Sequence, residues 1–217
     1  MVPVLIVPVL NRYDLLARLI HSIDYPVKIL HVIDNGGTFQ EVWNPNVERT
    51  VIWQSPENLG AATSWNFGII ANQSARWWLI AGNDTWFTPG ALETIVIEAR
   101  TDAIVLAEAQ PTWAVFTIGE KVVARVGLFD DNFHPAYFED NDYSDRCAHH
   151  GIEVARGTAR VHHDNSSTIH SNPSFFEWNK TVSFPASHAY YLRKKTMHDV
   201  SAGRLDLYRR RRTAFPK

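Results

Sequence analysis

An acidic pair, Glu139-Asp140, follows two aromatic residues, Tyr137-Phe138, and stands ahead of a helix-like stretch from Tyr143 to His150. A carboxylate so placed can take the proton of an attacking hydroxyl. The same pair, with Asp142, can equally cap the helix behind it. Gly82-Asn83-Asp84 offers another carboxylate, the hard oxygen donor that magnesium or manganese takes alongside substrate phosphates. His162-His163, after a strand-like Ala159 to Val161, adds imidazoles suited to divalent transition ions. Asn58-Leu59-Gly60 opens a helix, where glycine lets backbone approach a ligand and the helix N-terminus favours a diphosphate. Simple capping by Asn58 is compatible with that use. Asp34-Asn35-Gly36-Gly37 carries an acidic group and is also a strong turn signal. The histidines at 149, 150, 162, 163 and 170 show no zinc spacing, and the single cysteine, Cys147, excludes a disulfide or a cysteine-built metal site.

These groups need a scaffold. Val4 to Val7 is an apolar run of the kind a buried parallel strand shows, and Leu15, Leu16, Leu19, Ile20 and Ile23 recur at helical spacing within Asp14 to Ile23. Ile29 to Ile33 and Val51 to Trp53 read as strands, Gly60 to Ala71 as a helix and Trp77 to Ile80 as a fourth strand. Thr88-Pro89 reads as an N-cap with proline at the first position of a helix reaching about Arg100. The alternation implies an α/β fold: a Rossmann-like, mostly parallel sheet with helices on both faces. Such sheets bind ligands beyond the carboxyl ends of their strands. Chemistry is therefore expected at Pro8 to Arg12, Asp34 to Gly37, Glu57 to Gly60 and Gly82 to Asp84.

Composition narrows the options further. With 45% hydrophobic and 20% charged residues, a chain of 217 residues is neither disordered nor fibrous and can bury a core without staples. No run approaches the roughly 20 apolar residues of a membrane span. Met1 to Leu10, split by Pro3 and Pro8 and without basic residues before it, does not read as a signal peptide, so the expected location is cytoplasmic. No Gly-Xaa-Gly-Xaa-Xaa-Gly follows the first strand, which argues against a Rossmann dehydrogenase. Pro8 to Asp14 has no glycine, which argues against the phosphate loop of a nucleotidyltransferase. The net charge of -2 hides an asymmetry: Tyr190 to Lys217 holds nine Lys or Arg against two Asp, on an otherwise acidic body.

In order along nearly the whole chain, Asn11-Arg12-Tyr13-Asp14-Leu15-Leu16, Asp34-Asn35, Asn58-Leu59-Gly60, Asn66-Phe67-Gly68, Asn83-Asp84-Thr85, Pro89-Gly90-Ala91-Leu92, Val126 to Asp130, Tyr137 to Asp142, Val161-His162-His163 and Tyr190 to Lys194 form one pattern. It resembles the family 2 glycosyltransferases of GT-A fold, rhamnosyltransferase-like members included. The resemblance implies an inverting transfer of a sugar from a nucleotide-diphosphate donor, UDP-, dTDP- or GDP-linked, to a hydroxyl acceptor. It places the base on Asp140, with Glu139 orienting hydroxyls. It assigns Pro8, Asn11, Arg12, Asp34 and Asn35 to the nucleotide pocket, Asn58 and Gly60 to the diphosphate side, Asn66 to the donor and Asn83 to a sugar or ribose. Asp84 stands at the second acidic position of the family's Asp-Xaa-Asp motif, with glycine at the first, and His163 at a further metal position. The implied cofactor is Mn2+ or Mg2+. The glycine at 82 favours a second reading, a catalytically inactive sugar-nucleotide-fold protein acting as a scaffold.

Residues 1–189 are expected to form the transferase domain and 190–217 a basic helical tail. Arg209-Arg210-Arg211-Arg212, behind Met197, Val200, Leu205, Leu207 and Tyr208, suits a peripheral contact with an anionic membrane or an acidic partner, or a solvated terminus. Nucleic acid is not an expected partner, because the acidic body repels phosphates.

Overall fold

The structure, a computed structural model, describes residues 1–165 and 170–201. Strands β1 (Leu5–Val9), β2 (Leu30–Asp34), β3 (Thr50–Gln54) and β4 (Trp77–Ala81) form a parallel half-sheet in the order β3-β2-β1-β4. The sheet continues through β7 (Val115–Gly119), β6 (Ile104–Glu108), β8 (Val154–His163) and β5 (Thr85–Phe87). There β4 and β6 flank β7 antiparallel, β8 runs parallel to β6, and β5 is antiparallel to β8. Among the described residues, four strand pairs are parallel and three antiparallel.

The two-residue alternation of β1 splits the core. Leu5, Val7 and Val9 face one cluster with Leu16, Leu19 and Ile20 of α1 (Tyr13–His21) and Leu92 and Ile95 of α3 (Ala91–Glu98). Val4 and Ile6 face the other, with Trp65 and Ile69 of α2 (Gly60–Ala71), Val122 of α4 (Glu120–Val126), and Tyr143 and Cys147 of α5 (Glu139–His149). Each fully buried aliphatic side chain contributes about 1.5–3 kcal/mol, which outweighs the missing side-chain caps of α1, α2 and α3.

Two helix starts differ from expectation. Helix α3 starts at Ala91 behind Gly90 (φ 79), not at Pro89, and the Thr88 hydroxyl donates to Arg160 O at 2.9 Å. Helix α5 starts at Glu139, four residues before the apolar pattern begins, so the acidic pair lies inside its first turn. At the C-terminal end, α6 (Pro173–Trp178), a π turn (Asn179–Ser183) and α7 (Phe184–Thr196) form one helical run. The expected boundary between 189 and 190 falls inside α7. Residues 166–169 and 202–217, including Ser166-Ser167 and the arginine run, lie outside the described residues. No helix among the described residues is long and apolar enough to cross a membrane.

Candidate functional site

At the rim where β1, β2 and β4 end, a hollow of about 160 Å³ opens. Pro8, Asn35, Asn58, Gly60 and Asn83, five of the residues expected at a nucleotide-sugar site, line it. They meet there because each lies at or just past the carboxyl end of a strand of the parallel half or opens α2. Val9, Leu10, Ala61, Pro135, Ala136 and Phe175 complete a largely apolar wall that no sequence motif announces. Sites for drug-sized ligands run to roughly 300–1,000 Å³, so this hollow is large enough for only part of such a ligand.

Several of these side chains have hydrogen-bond partners within the chain. Asp34 is fully buried, and its carboxylate accepts from Tyr13 OH (2.8 Å), Gly36 N (3.1 Å) and Phe39 N (2.8 Å). These bonds shape the loop after β2. Asn66 accepts from Phe129 N and donates to Phe129 O, both at 2.9 Å, which brackets the loop after α4. Arg12, at the left-handed start of α1 (φ 54), pairs with Asp14 at 2.7 Å. Asn11 meets the site through its carbonyl, which accepts from Asn83 Nδ2 at 3.3 Å. The start of α2 is also closed. Gly60 N donates to Asn58 Oδ1 (2.9 Å) and Ala61 N to Pro135 O (2.7 Å), so these amides are not spare for a diphosphate. Gly60 is needed for the approach: its φ is 75, and a Cβ there would stand 2.5 Å from Pro135 O.

Beside Asn83, Asp84 Oδ1 lies 3.2 Å from His163 Nε2. Antiparallel pairing of Thr85 with His163 and of Trp86 with His162 brings them together. Strand alternation puts His163 on the Asp84 side and leaves His162 stacked on Trp86 at 4.7 Å. Burial disfavours a charged imidazole, but the carboxylate outweighs it and raises the His163 pKa above its ordinary value. A carboxylate oxygen and an imidazole nitrogen suit manganese or magnesium. With no group of three or more His, Cys, Asp or Glu able to hold an ion among the described residues, further ligands would be phosphate oxygens and water. His163 Nδ1 lies 3.1 Å from Gln110 O, a partner that orients the ring and leaves Nε2 for an ion. At Gly82, a Cβ would stand 3.0 Å from Asp84 Oδ1, so a side chain there presses on the carboxylate the site retains.

Glu139 and Asp140 occupy the first turn of α5, where the helix N-terminus favours negative charge. Tyr137 (φ 78) and Phe138 (φ 72) precede them in left-handed backbone, strain of the kind that persists only when packing enforces it. Phe138 stacks on His188 and Tyr191 of α7, at 5.0 and 5.6 Å. Burial, then the neighbouring Asp140 charge, pushes Glu139 up to about 8, and its buried Oε2 has no hydrogen-bond partner among the described residues. Burial also raises Asp140, whose Oδ1 accepts from Asn141 N at 2.8 Å. Asp142, expected as a cap, instead accepts from Arg146 Nε at 2.9 Å.

No protein-family model and no curated protein matches the sequence. Solved structures do. The chain is similar to the catalytic domain of Drosophila β1,4-galactosyltransferase 7 in complex with xylobiose, at 12% identity and TM-score 0.54, over 75% of this chain and 70% of that one. It is similar to residues 1–349 of S. aureus TarS, at 13% identity and TM-score 0.56, over 75% and 60%. A third is GalNAc-T7 with UDP, GalNAc and Mn2+, at 10% identity and TM-score 0.61, over 98% and 54%. The fold is that of the GT-A glycosyltransferases. This GT-A chain spans just over half of the GalNAc-T7 structure and three fifths of the TarS one.

The register of β5 on β8 makes a testable distinction. His163→Ala is expected to weaken Mn2+ binding at least ~10-fold, the scale of a lost metal-site contact, while His162→Ala leaves it near wild type. Because protonated His163 competes with the ion and its pKa is raised, wild-type Mn2+ affinity should rise as pH climbs through and above the ordinary imidazole range, and the His163→Ala profile should be flatter. Isothermal titration checks both, and the reverse order of the two variants would show that the histidines had been placed one residue out of register.

Proposed function

We propose that this protein is an inverting glycosyltransferase of the family 2 kind, moving a sugar from a nucleotide-diphosphate donor to a hydroxyl acceptor. The observation that carries it is a rim hollow lined by Asn83, whose neighbour in sequence, Asp84, pairs with His163 on a GT-A sheet. The UDP held by TarS, and the UDP and Mn2+ held by GalNAc-T7, support the donor class. The hollow takes part of the donor, with Asn83 between it and Asp84. Asp84 and His163 would hold a divalent ion, which when bound neutralises charge on the departing diphosphate. The Asp140 carboxylate takes the proton of the acceptor hydroxyl as that oxygen bonds to the anomeric carbon. The carbon–diphosphate bond breaks, and nucleoside diphosphate leaves. Glu139, its proton retained below about pH 8, offers an O–H to a sugar or acceptor oxygen while leaving Asp140 as the single base.

Glycine at 82 favours the second reading, a binding protein without turnover. Thermal melting with UDP, dTDP or GDP, with and without Mn2+, tests the donor site. Saturation at about 100 times Kd adds about 2.7 kcal/mol, or roughly 5–11 °C in a chain of this size. No shift with any of them would remove both readings. A shift without hydrolysis of any matching nucleotide sugar would leave only the binding protein.

A further inference from the structure

Behind the first turn of α5, the C-terminal helix inserts a single cation into the body. The Lys194 side chain is 3% exposed, and its ammonium donates to Asp130 Oδ2 at 2.8 Å, Asp142 Oδ1 at 2.7 Å and Ser201 O at 2.7 Å. These occupy all three N–H donors of a lysine. Asp130, fully buried, also accepts from Tyr190 OH at 2.9 Å and Asn132 N at 3.0 Å, and Asp142 also accepts from Arg146. Two carboxylates, one ammonium and one guanidinium sum to zero, so the group can be buried without a net charge. Its places in the chain are telling. Asp130 begins the loop that ends in the strained Tyr137-Phe138, and Asp142 lies in the same helical turn as Glu139 and Asp140. One ammonium therefore ties both ends of the segment that carries the acidic pair, from an element more than 50 residues further along the chain.

We infer that Lys194 is a positioning residue: through Asp130 and Asp142 it fixes the first turn of α5, and with it the carboxylates of Glu139 and Asp140. Its catalytic consequence rests on the transferase reading; the ordering of α5 does not. Lys194 lines a surface hollow of about 290 Å³ with Asp142, Arg146 and Tyr191, which gives a small amine added to a truncated variant an approach from solvent.

The test uses the full chain and Lys194→Ala, with and without n-propylammonium. Backbone amide exchange at Glu139 to Tyr143 should quicken at least ~10-fold in the variant while β1 and α2 keep their protection. Turnover should fall at least ~10-fold, as a slightly misplaced base requires, with the donor KM moving less than ~3-fold. Saturating n-propylammonium should restore both. Wild-type exchange rates across that turn, quickening confined to α7, or kcat and donor KM failing together would each overturn the inference. Should Lys194→Ala not melt cooperatively, Lys194→Met, which keeps the stem, is read by the same measurements. A wild-type chain that turns over no donor sinks the transferase reading alone, because the exchange result needs no activity.

Discussion

Asp140→Asn should lower the rate of sugar transfer by about 10²–10⁴-fold, the usual share of general-base catalysis, with the affinity for nucleoside diphosphate nearly unchanged. The amide keeps the side chain's shape and can still accept from Asn141 N, the bond now 2.8 Å long. It cannot take a proton. Donor affinity should survive because Asp140 does not line the hollow. Burial raises the Asp140 pKa, which makes the native carboxylate a stronger base than a solvated one. The substitution also removes a charge that helps push Glu139 up to about 8, so Glu139 in the variant should titrate lower. The sign for stability follows. A buried carboxyl raised from 4.5 to about 8 binds its proton more tightly folded than unfolded, so its contribution to stability falls as pH rises through that window. Single-turnover kinetics and UDP titration on the same preparation check the effect. A variant that transfers at close to the native rate would reduce Asp140 to a helix-start residue.

Arg146→Leu should destabilise the fold by about 3–5 kcal/mol, the range for removing one partner of a buried ion pair. At about 2–4 °C per kcal/mol for a domain of this size, melting should fall by roughly 6–20 °C. The Arg146 side chain is 1% exposed; it donates to Asp142 Oδ2 at 2.9 Å, Val126 O at 3.1 Å and Leu128 O at 2.9 Å, and its guanidinium lies 4.6 Å from the Tyr143 ring centroid. Leucine matches some of the volume but strands two carbonyls and leaves Asp142 to Lys194 alone. The shorter pair Arg100–Glu153, at 2.6 Å but half exposed on both sides, supplies the control. Arg100→Leu should hardly move the melting temperature, because solvent screens that contact. A fall for Arg146→Leu no larger than for the control would mean the buried network adds nothing to stability.

Local pattern carried the parallel half of the sheet and the address of the rim. Apolar runs at Val4 to Val7 and Ile29 to Ile33, with amphipathic stretches between them, have few ways to bury themselves other than as strands under helices. Once they do, residues at or just past the carboxyl end of each strand must share one edge, which is why Pro8, Asn35, Asn58, Gly60 and Asn83 meet in one hollow. What each side chain does there was decided by partners distant in sequence. Asn66 is spent on Phe129, 63 residues on, and Asp34 on Tyr13, 21 residues back. A carboxylate or carboxamide carries no mark of whether its hydrogen bonds go to a ligand or to its own chain. The Asp84–His163 contact needed β5 and β8 to pair, and no periodicity reveals that register. The start of α5 was hidden for another reason. Glu139-Asp140-Asn141-Asp142 has little helix propensity or apolar pattern, and it is helical because α7 packs Phe138 and because Lys194 and Arg146 hold Asp142 from behind. Sequence determined where a ligand could bind, since strand ends are local. Tertiary structure decided which polar groups remain to meet it, since hydrogen-bond partners are not.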